Sequence, residues 1–286
     1  MTDFTYKLHD DGVAVITWDV PGKSMNVLTR EAFSLIEGMI DDALSDEAVK
    51  GIVITSGKDS FAGGMDLNVL ATIRAESGDD PAPALFDWIM NGHRILRKIE
   101  RAGMDDKNKG GKPIACAIPG LCAGIGTEIA LACHHRVMSD NPKGRIGLPE
   151  ILLGLFPGAG GTTRYSRMVG AMQAAPVLLE GKMLEPAKAK SAQLIDEVAP
   201  ADELLDRAKT WVLSATDADI VKPWDQKGWK MPGGAPYHPA GFMTFVGASA
   251  MVNGNTQGVY PAAQALLSSV YEGAMVPFDT ALKIEA

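Results

Sequence analysis

Three features of the sequence predict an α/β fold. Short β-rich runs alternate with helical patterns, in the order strand, strand, helix, strand. Two continuous apolar runs, Gly51 to Thr55 and Ile114 to Ile118, have the character of strands buried on both faces. Each is followed by a glycine-rich loop and then a helical pattern, and ligands of such sheets sit beyond the carboxyl ends of the strands.

In chain order, Phe4 to Leu8 and Val13 to Trp18 flank His9-Asp10-Asp11-Gly12, a hairpin pattern. Thr29 is expected to cap a helix whose apolar face is Phe33, Ile36, Ile40, Ala43 and Leu44. After Thr55 comes the loop Ser56 to Leu67, with Gly63-Gly64 before a helix start marked by Leu67, Leu70 and Ile73. Leu85 to Ile99 follows as a helix, and a charged loop then leads to Lys112-Pro113 and the second buried strand. Beyond Gly161, helices are expected over Arg164 to Val169, Met172 to Leu179, Pro186 to Ala192 and Glu203 to Leu213, with Leu194 to Val198 extended. The character changes near Ala215. Asp217 to Pro239 is rich in Pro, Gly and Trp, and two further helices, Phe242 to Met251 and Pro261 to Tyr271, are joined by Asn253-Gly254-Asn255. We therefore expect a core over residues 1–214 and a C-terminal helical region over 215–286.

With 286 residues, 46% of them hydrophobic, the chain can bury a sizeable core. Its net charge of −8 argues against a nucleic-acid binder, which needs a basic face. Cys116, Cys122 and Cys133 are odd in number and lack ligand spacing, the pattern of reduced cytoplasmic thiols without a disulfide or zinc. No leader pattern or apolar run of membrane-spanning length is present.

The stretch from Gly120 to Gly161 holds two acidic residues, Glu128 and Glu150, in apolar, glycine-rich surroundings where burying a charge is costly. A helix starting near Gly126 would point unpaired N–H groups at the turn Gly124-Ile125-Gly126, a place for developing negative charge. Other readings fail. Ile129 stands where a dinucleotide fingerprint needs glycine, and Gly158 to Thr163 lacks the lysine of a phosphate loop. His134 and His135 are adjacent, so they point to different faces and make a poor metal site.

Ser60 to Asp66, Gly120 to Glu128, and Ile146 to Glu150 with Pro157 to Thr162 together resemble the crotonase (enoyl-CoA hydratase/isomerase) superfamily. The likeness runs from about Phe4 to Val198 and implies a spiral of strand-strand-helix units followed by helices. Tyr260-Pro261-Ala262 and Tyr271 to Leu282 look like the linker of multifunctional fatty-acid oxidation proteins, in which a 3-hydroxyacyl-CoA dehydrogenase region follows. That makes the chain either a shortened protein or a stand-alone hydratase part.

The resemblance implies an enoyl-CoA hydratase, with isomerase activity beside it, that uses a coenzyme A thioester as substrate and no prosthetic group or metal. It implies backbone oxyanion donors at Met65 and Ile125, where the family usually has a run of three glycines and this chain has Gly124-Ile125-Gly126. An isoleucine keeps the N–H but demands an ordinary φ and narrows the pocket. Glu128 would activate the water, and Glu150 would exchange a proton with the α-carbon. Ala62, Gly63, Gly64 and Asp66 would line the coenzyme A, with Lys23 and Lys58 as candidate phosphate partners. It also implies a trimer or pair of trimers, or association with a dehydrogenase or thiolase component. Two other enzyme readings are a dedicated isomerase and a thioester hydrolase; a reading from a different class is a CoA-thioester docking module without turnover.

Overall fold

The computed structural model describes residues 2–286. Its main sheet has six strands: β1 (Phe4–Leu8), β2 (Val13–Trp18), β3 (Gly51–Ser56), β4 (Ile114–Ile118), β6 (His135–Ser139) and β8 (Glu197–Ala199), adjacent in that order. Only the β1–β2 hairpin is antiparallel; β2, β3, β4, β6 and β8 pair in parallel. Parallel strands need both faces covered, which accounts for the unbroken apolar run of β4, buried at every position. One face packs Val13, Val15, Val53, Ala115 and Val137 under α8 (Leu204–Ser214) through Leu204, Ala208 and Val212. The other packs Ala14, Ile16, Ile52, Ile54 and Cys116 against α1 (Ala32–Ser45), α3 (Ala82–Arg101) and α4 (Ile125–Ala132).

A second, smaller layer carries the loops. β5 (Cys122–Ala123) pairs in parallel with β7 (Ile146–Gly147), and single bridges join Ala62 to Cys122 and Leu28 to Met65. Asn26 locks the first loop: its amide reaches Trp18 O, Ser56 Oγ and Phe61 O, its Oδ1 accepts from Val20 N–H, and its carbonyl accepts from Gly63 N–H. The Thr127 hydroxyl lies 2.9 Å from Cys122 O and 2.8 Å from Gly147 O, which fastens the first turn of α4 to this layer.

The remaining helices are α2 (Leu67–Glu76), α5 (Gly161–Val169), α6 (Ala171–Leu178), α7 (Pro186–Ser191), α9 (Asp217–Ile220), α10 (Pro239–Thr256), α11 (Pro261–Gly273) and α12 (Phe278–Glu285). Three expectations need correction. The Thr29 hydroxyl donates to Asp3 Oδ2 instead of capping, and α1 starts later, after Glu31, with no side-chain cap. Of the short strand or extended segment expected over Leu194 to Val198, only Glu197 and Val198 join a strand, Glu197–Ala199, and Leu194 and Ile195 are buried before the chain enters the sheet. Asn253-Gly254-Asn255 is helical: α10 runs through it and ends where Gln257 and Gly258 take left-handed φ values of 52° and 72°. No helix among the described residues is long and apolar enough to cross a membrane.

Beneath the loop layer lies a fully buried ion pair. Arg164 Nε and Nη2 donate to Glu100 Oε1 and Oε2 at 3.0 and 3.1 Å, and Nη1 donates to Ala159 O. Both side chains are wholly shielded from solvent. Removing one partner of such a pair strands the other charge in a low dielectric. Glu100→Ala is therefore expected to lower the unfolding free energy by about 3–5 kcal/mol, measured as a reduced urea midpoint with the m-value unchanged.

Candidate active site

Three backbone segments side by side build the site: 62–65, 122–125 and 146–150. Gly124 N–H donates to Gly147 O and Ala123 N–H to Ala62 O, so the two glycine loops and the Glu150 turn move as one unit. Gly124 has φ of 56°, and a Cβ there would sit 3.1 Å from Glu150 Oε1 and 3.4 Å from Gly64 Cα. Glycine is thus required by both the turn and the close approach. Ile125 then begins α4 without a left-handed φ, so an isoleucine is sterically acceptable there.

A cavity of about 430 Å³ opens here. Gly63, Gly64, Met65, Ile125, Glu128 and Glu150 all border it. Ala62, Asp66, Lys23 and Lys58 do not. Ala62 spends its N–H on Leu121 O and its carbonyl on Ala123 N–H. Asp66 caps α2 by accepting from Asn68 N–H, and Lys58 pairs with Asp19 Oδ1 at 2.5 Å. Lys23 is exposed. Neither Met65 N–H nor Ile125 N–H donates to an acceptor among the described residues. Away from these groups the cavity is walled by Phe33, Leu70, Leu85, Trp88 and Ile89, an apolar end suited to a hydrocarbon chain.

The two carboxylates sit in unequal surroundings. Glu128 is 3% exposed, and its Oε1 accepts from Ala159 N–H and Gly161 N–H, both at 2.8 Å. Burial raises its proton affinity, while those two N–H groups and the Arg164 charge pull it back. Glu150 has no such support: its Oε2 is buried without a partner. Burial first, and the Glu128 charge second, push its pKa up to about 8.

A further buried carboxylate, Glu285 on α12, accepts from Gly160 N–H at 2.7 Å and Thr163 N–H at 2.8 Å. Sequence reasoning missed it, although the signal was present. Phe278, Ala281 and Leu282 mark the buried face of α12, and Glu285 continues that face at the i+7 position. Tyr260, at the start of α11, was also missed; its hydroxyl donates to Ile151 O in the short 3-10 turn Pro149–Leu153 that carries Glu150. No group of three His, Cys, Asp or Glu side chains fit to hold a metal ion occurs among the described residues. His134 is instead tied between Ile114 N–H and Glu100 O, and His135 stacks on Trp211.

Glu150 has a direct thermodynamic signature. Between its ordinary pKa of 4.5 and its folded value of about 8, the folded state holds a proton that the unfolded state has lost, so stability falls as pH rises through this window. Glu150→Gln removes that dependence. Relative to the parent, the variant should gain up to about 1.4 kcal/mol per pH unit from roughly pH 5 to pH 8, read from paired urea unfolding curves.

Known proteins resemble this chain in sequence and in fold. Residues 9–220 match the sequence model of the enoyl-CoA hydratase/isomerase family. The fatty acid oxidation complex subunit alpha of Shewanella amazonensis is 35% identical over 285 residues, which is 99% of this chain and 38% of that protein. The protein of the same name from Idiomarina loihiensis is 37% identical over 94% of this chain and 36% of its own length. This chain therefore spans well under half of these curated relatives. Among solved structures, the human mitochondrial delta3-delta2-enoyl-CoA isomerase superposes with a TM-score of 0.66 at 20% identity, covering 99% of this chain and 96% of that one. An enoyl-CoA hydratase from Bacillus anthracis gives 0.62 at 19%, covering 99% and 88%. At these identities the structural likeness is one of fold, whereas the sequence match covers most of the chain: it belongs to the enoyl-CoA hydratase/isomerase family.

Proposed function

We propose that this chain hydrates trans-2-enoyl-CoA thioesters to 3-hydroxyacyl-CoA and also shifts the double bond of enoyl-CoA. The carrying observation is that two carboxyl groups in unequal surroundings, Glu128 held by two N–H groups and Glu150 with an unpartnered oxygen, border the same cavity as two backbone N–H groups with no acceptor among the described residues. Met65 N–H and Ile125 N–H would hold the thioester oxygen. Attack at the β-carbon moves charge onto that oxygen, and each donor lowers the barrier by about 3 kcal/mol. Glu128, whose charged form two N–H groups and Arg164 favour while burial raises its proton affinity, takes a proton from water as the water oxygen bonds to the β-carbon. Glu150, protonated near neutral pH, gives its proton to the α-carbon. One proton must then pass from Glu128 back to Glu150 before the next turnover. Isomerisation needs one carboxyl group, and Glu150 would carry a proton from one end of the allylic system to the other.

The coenzyme A would lie along Gly63, Gly64 and Met65, with the acyl chain toward Phe33 and Trp88. The relatives are named as subunits of a fatty acid oxidation complex, which supports a role in β-oxidation alongside dehydrogenase or thiolase components. The three buried free cysteines favour a cytoplasmic setting.

The decisive assay follows the loss of enoyl-thioester absorbance with crotonyl-CoA and a longer-chain analogue. Glu150→Gln should abolish hydration and isomerisation together. Glu128→Gln should lower hydration by about 10²–10⁴-fold and leave measurable isomerisation. Equal hydration by both variants would remove the assigned roles, and thioester binding without turnover would make the chain a docking module. Turnover by isomerisation alone would mark a dedicated isomerase, and release of free coenzyme A a hydrolase.

A further inference from the structure

The first turn of α5 is shared. In order along the chain, Ala159 N–H goes to Glu128, Gly160 N–H to Glu285, Gly161 N–H to Glu128 and Thr163 N–H to Glu285. The two carboxylates grip alternate donors of one turn. A helix N-terminus leaves such N–H groups unpaired and favours negative charge beside it, so two anions can be kept close together here. The turn has little room to rearrange: a Cβ on Gly161 would lie 2.9 Å from Glu128 Oε1, and one on Gly160 would overlap the Arg164 guanidinium.

We propose that Glu285, on a helix far along the chain from the catalytic loops, is a positioning residue for Glu128: by holding Gly160 and Thr163 it fixes the turn that orients the general base. This inference rests on the hydratase reading above. Glu285 is not among the residues that line the cavity, so it acts through the turn and through its charge. The charged groups around it are Glu128 on α4, Glu150 on the 3-10 turn, Arg164 on α5, and Glu100 with Arg97 on α3. Arg97 is already committed to Asp225 and Asp279, and Arg167 of α5 to Gly273 O and Val276 O. His93 of α3, buried and near Arg164, is held neutral by burial, with its pKa down to about 3. On α11, Tyr271 and Glu272 are exposed. Glu285 is itself pushed up to about 7 by burial and by Glu128, so near neutral pH its own charge contributes to the field on the acid pair.

The test uses the 286-residue chain with Glu285→Gln, Glu285→Asp and Glu285→Ala. Glu285→Gln keeps the shape and one acceptor but sets an amide donor against an N–H. Its crotonyl-CoA kcat should fall about tenfold or more with KM within threefold, and the pH profile of kcat should move down by half a unit or more as a negative charge leaves the pair. Glu285→Ala should lose more, and Glu285→Asp should recover part of the pH profile. Parent-like kcat and an unshifted profile in folded Glu285→Gln would overturn the proposal. A second readout needs no turnover: a urea double-mutant cycle of Glu128→Gln with Glu285→Gln should show coupling of at least fivefold in the unfolding constant. Additive effects in that cycle would overturn the proposal even if the parent proved inactive. Inactivity of the parent with the coupling intact would instead overturn the hydratase reading alone.

Discussion

Four consecutive or near-consecutive N–H groups at the start of α5, and the carboxylates that occupy them, set the terms for the rest of the site. Burying Glu128 and Glu285 as neighbours would be prohibitive in an apolar core. It becomes tolerable because the helix end supplies aligned donors to each and Arg164, locked to Glu100, lies beneath both. Glu150, which borders the same cavity, receives no comparable support, and burial, with the Glu128 charge added, raises its proton affinity. The two carboxyl groups are distinguished by the backbone around them, since the side chains themselves are chemically identical.

The same economy appears at the other end of α4. The helix points its N-terminus at the cavity, and its C-terminal carbonyls Leu131 O and Cys133 O receive the buried Lys222 Nζ at 2.8 and 2.6 Å. A cation at the C-terminal end complements the helix dipole. Lys222, Trp224 and Phe278 come from the segments that follow α8; Trp224 stacks on Phe278, and Arg97 and Arg164 lie over the Phe278 ring. The last third of the chain thus reaches the C-terminal end of the helix that carries Glu128, and through Tyr260 the turn that carries Glu150.

Much of this was legible in the sequence because local chemistry determined it. Continuous apolar runs identified β3 and β4, and Glu128 and Glu150 stood out as charges in apolar surroundings. Gly124 was marked as a turn, and its φ of 56° beside Glu150 shows why only glycine fits. What escaped was set by partners distant in sequence. Thr29 has the right residue type for a cap, but Asp3 claims its hydroxyl. Asn253 to Asn255 has loop composition, but α10 continues through it until a left-handed residue ends the helix. Glu285 has the periodicity of a core position and the identity of a surface one. That conflict resolves only when α5, more than a hundred residues earlier, is placed against it.

The separation has a temporal meaning. Glu285 lies 125 residues beyond Gly160, and a ribosome adding about 5–20 residues per second needs on the order of ten seconds to cover that distance. Strands β1 to β4 and β6, α4 and both glycine loops are made before or early in that interval, while Gly160 and Thr163 at the start of α5 must wait for the Glu285 carboxylate. Contacts of such long range also cost loop-closure entropy before they return anything. The first five strands of the main sheet can therefore be in place before the C-terminal helices are made, but the geometry around Glu128 is completed only when α12 docks.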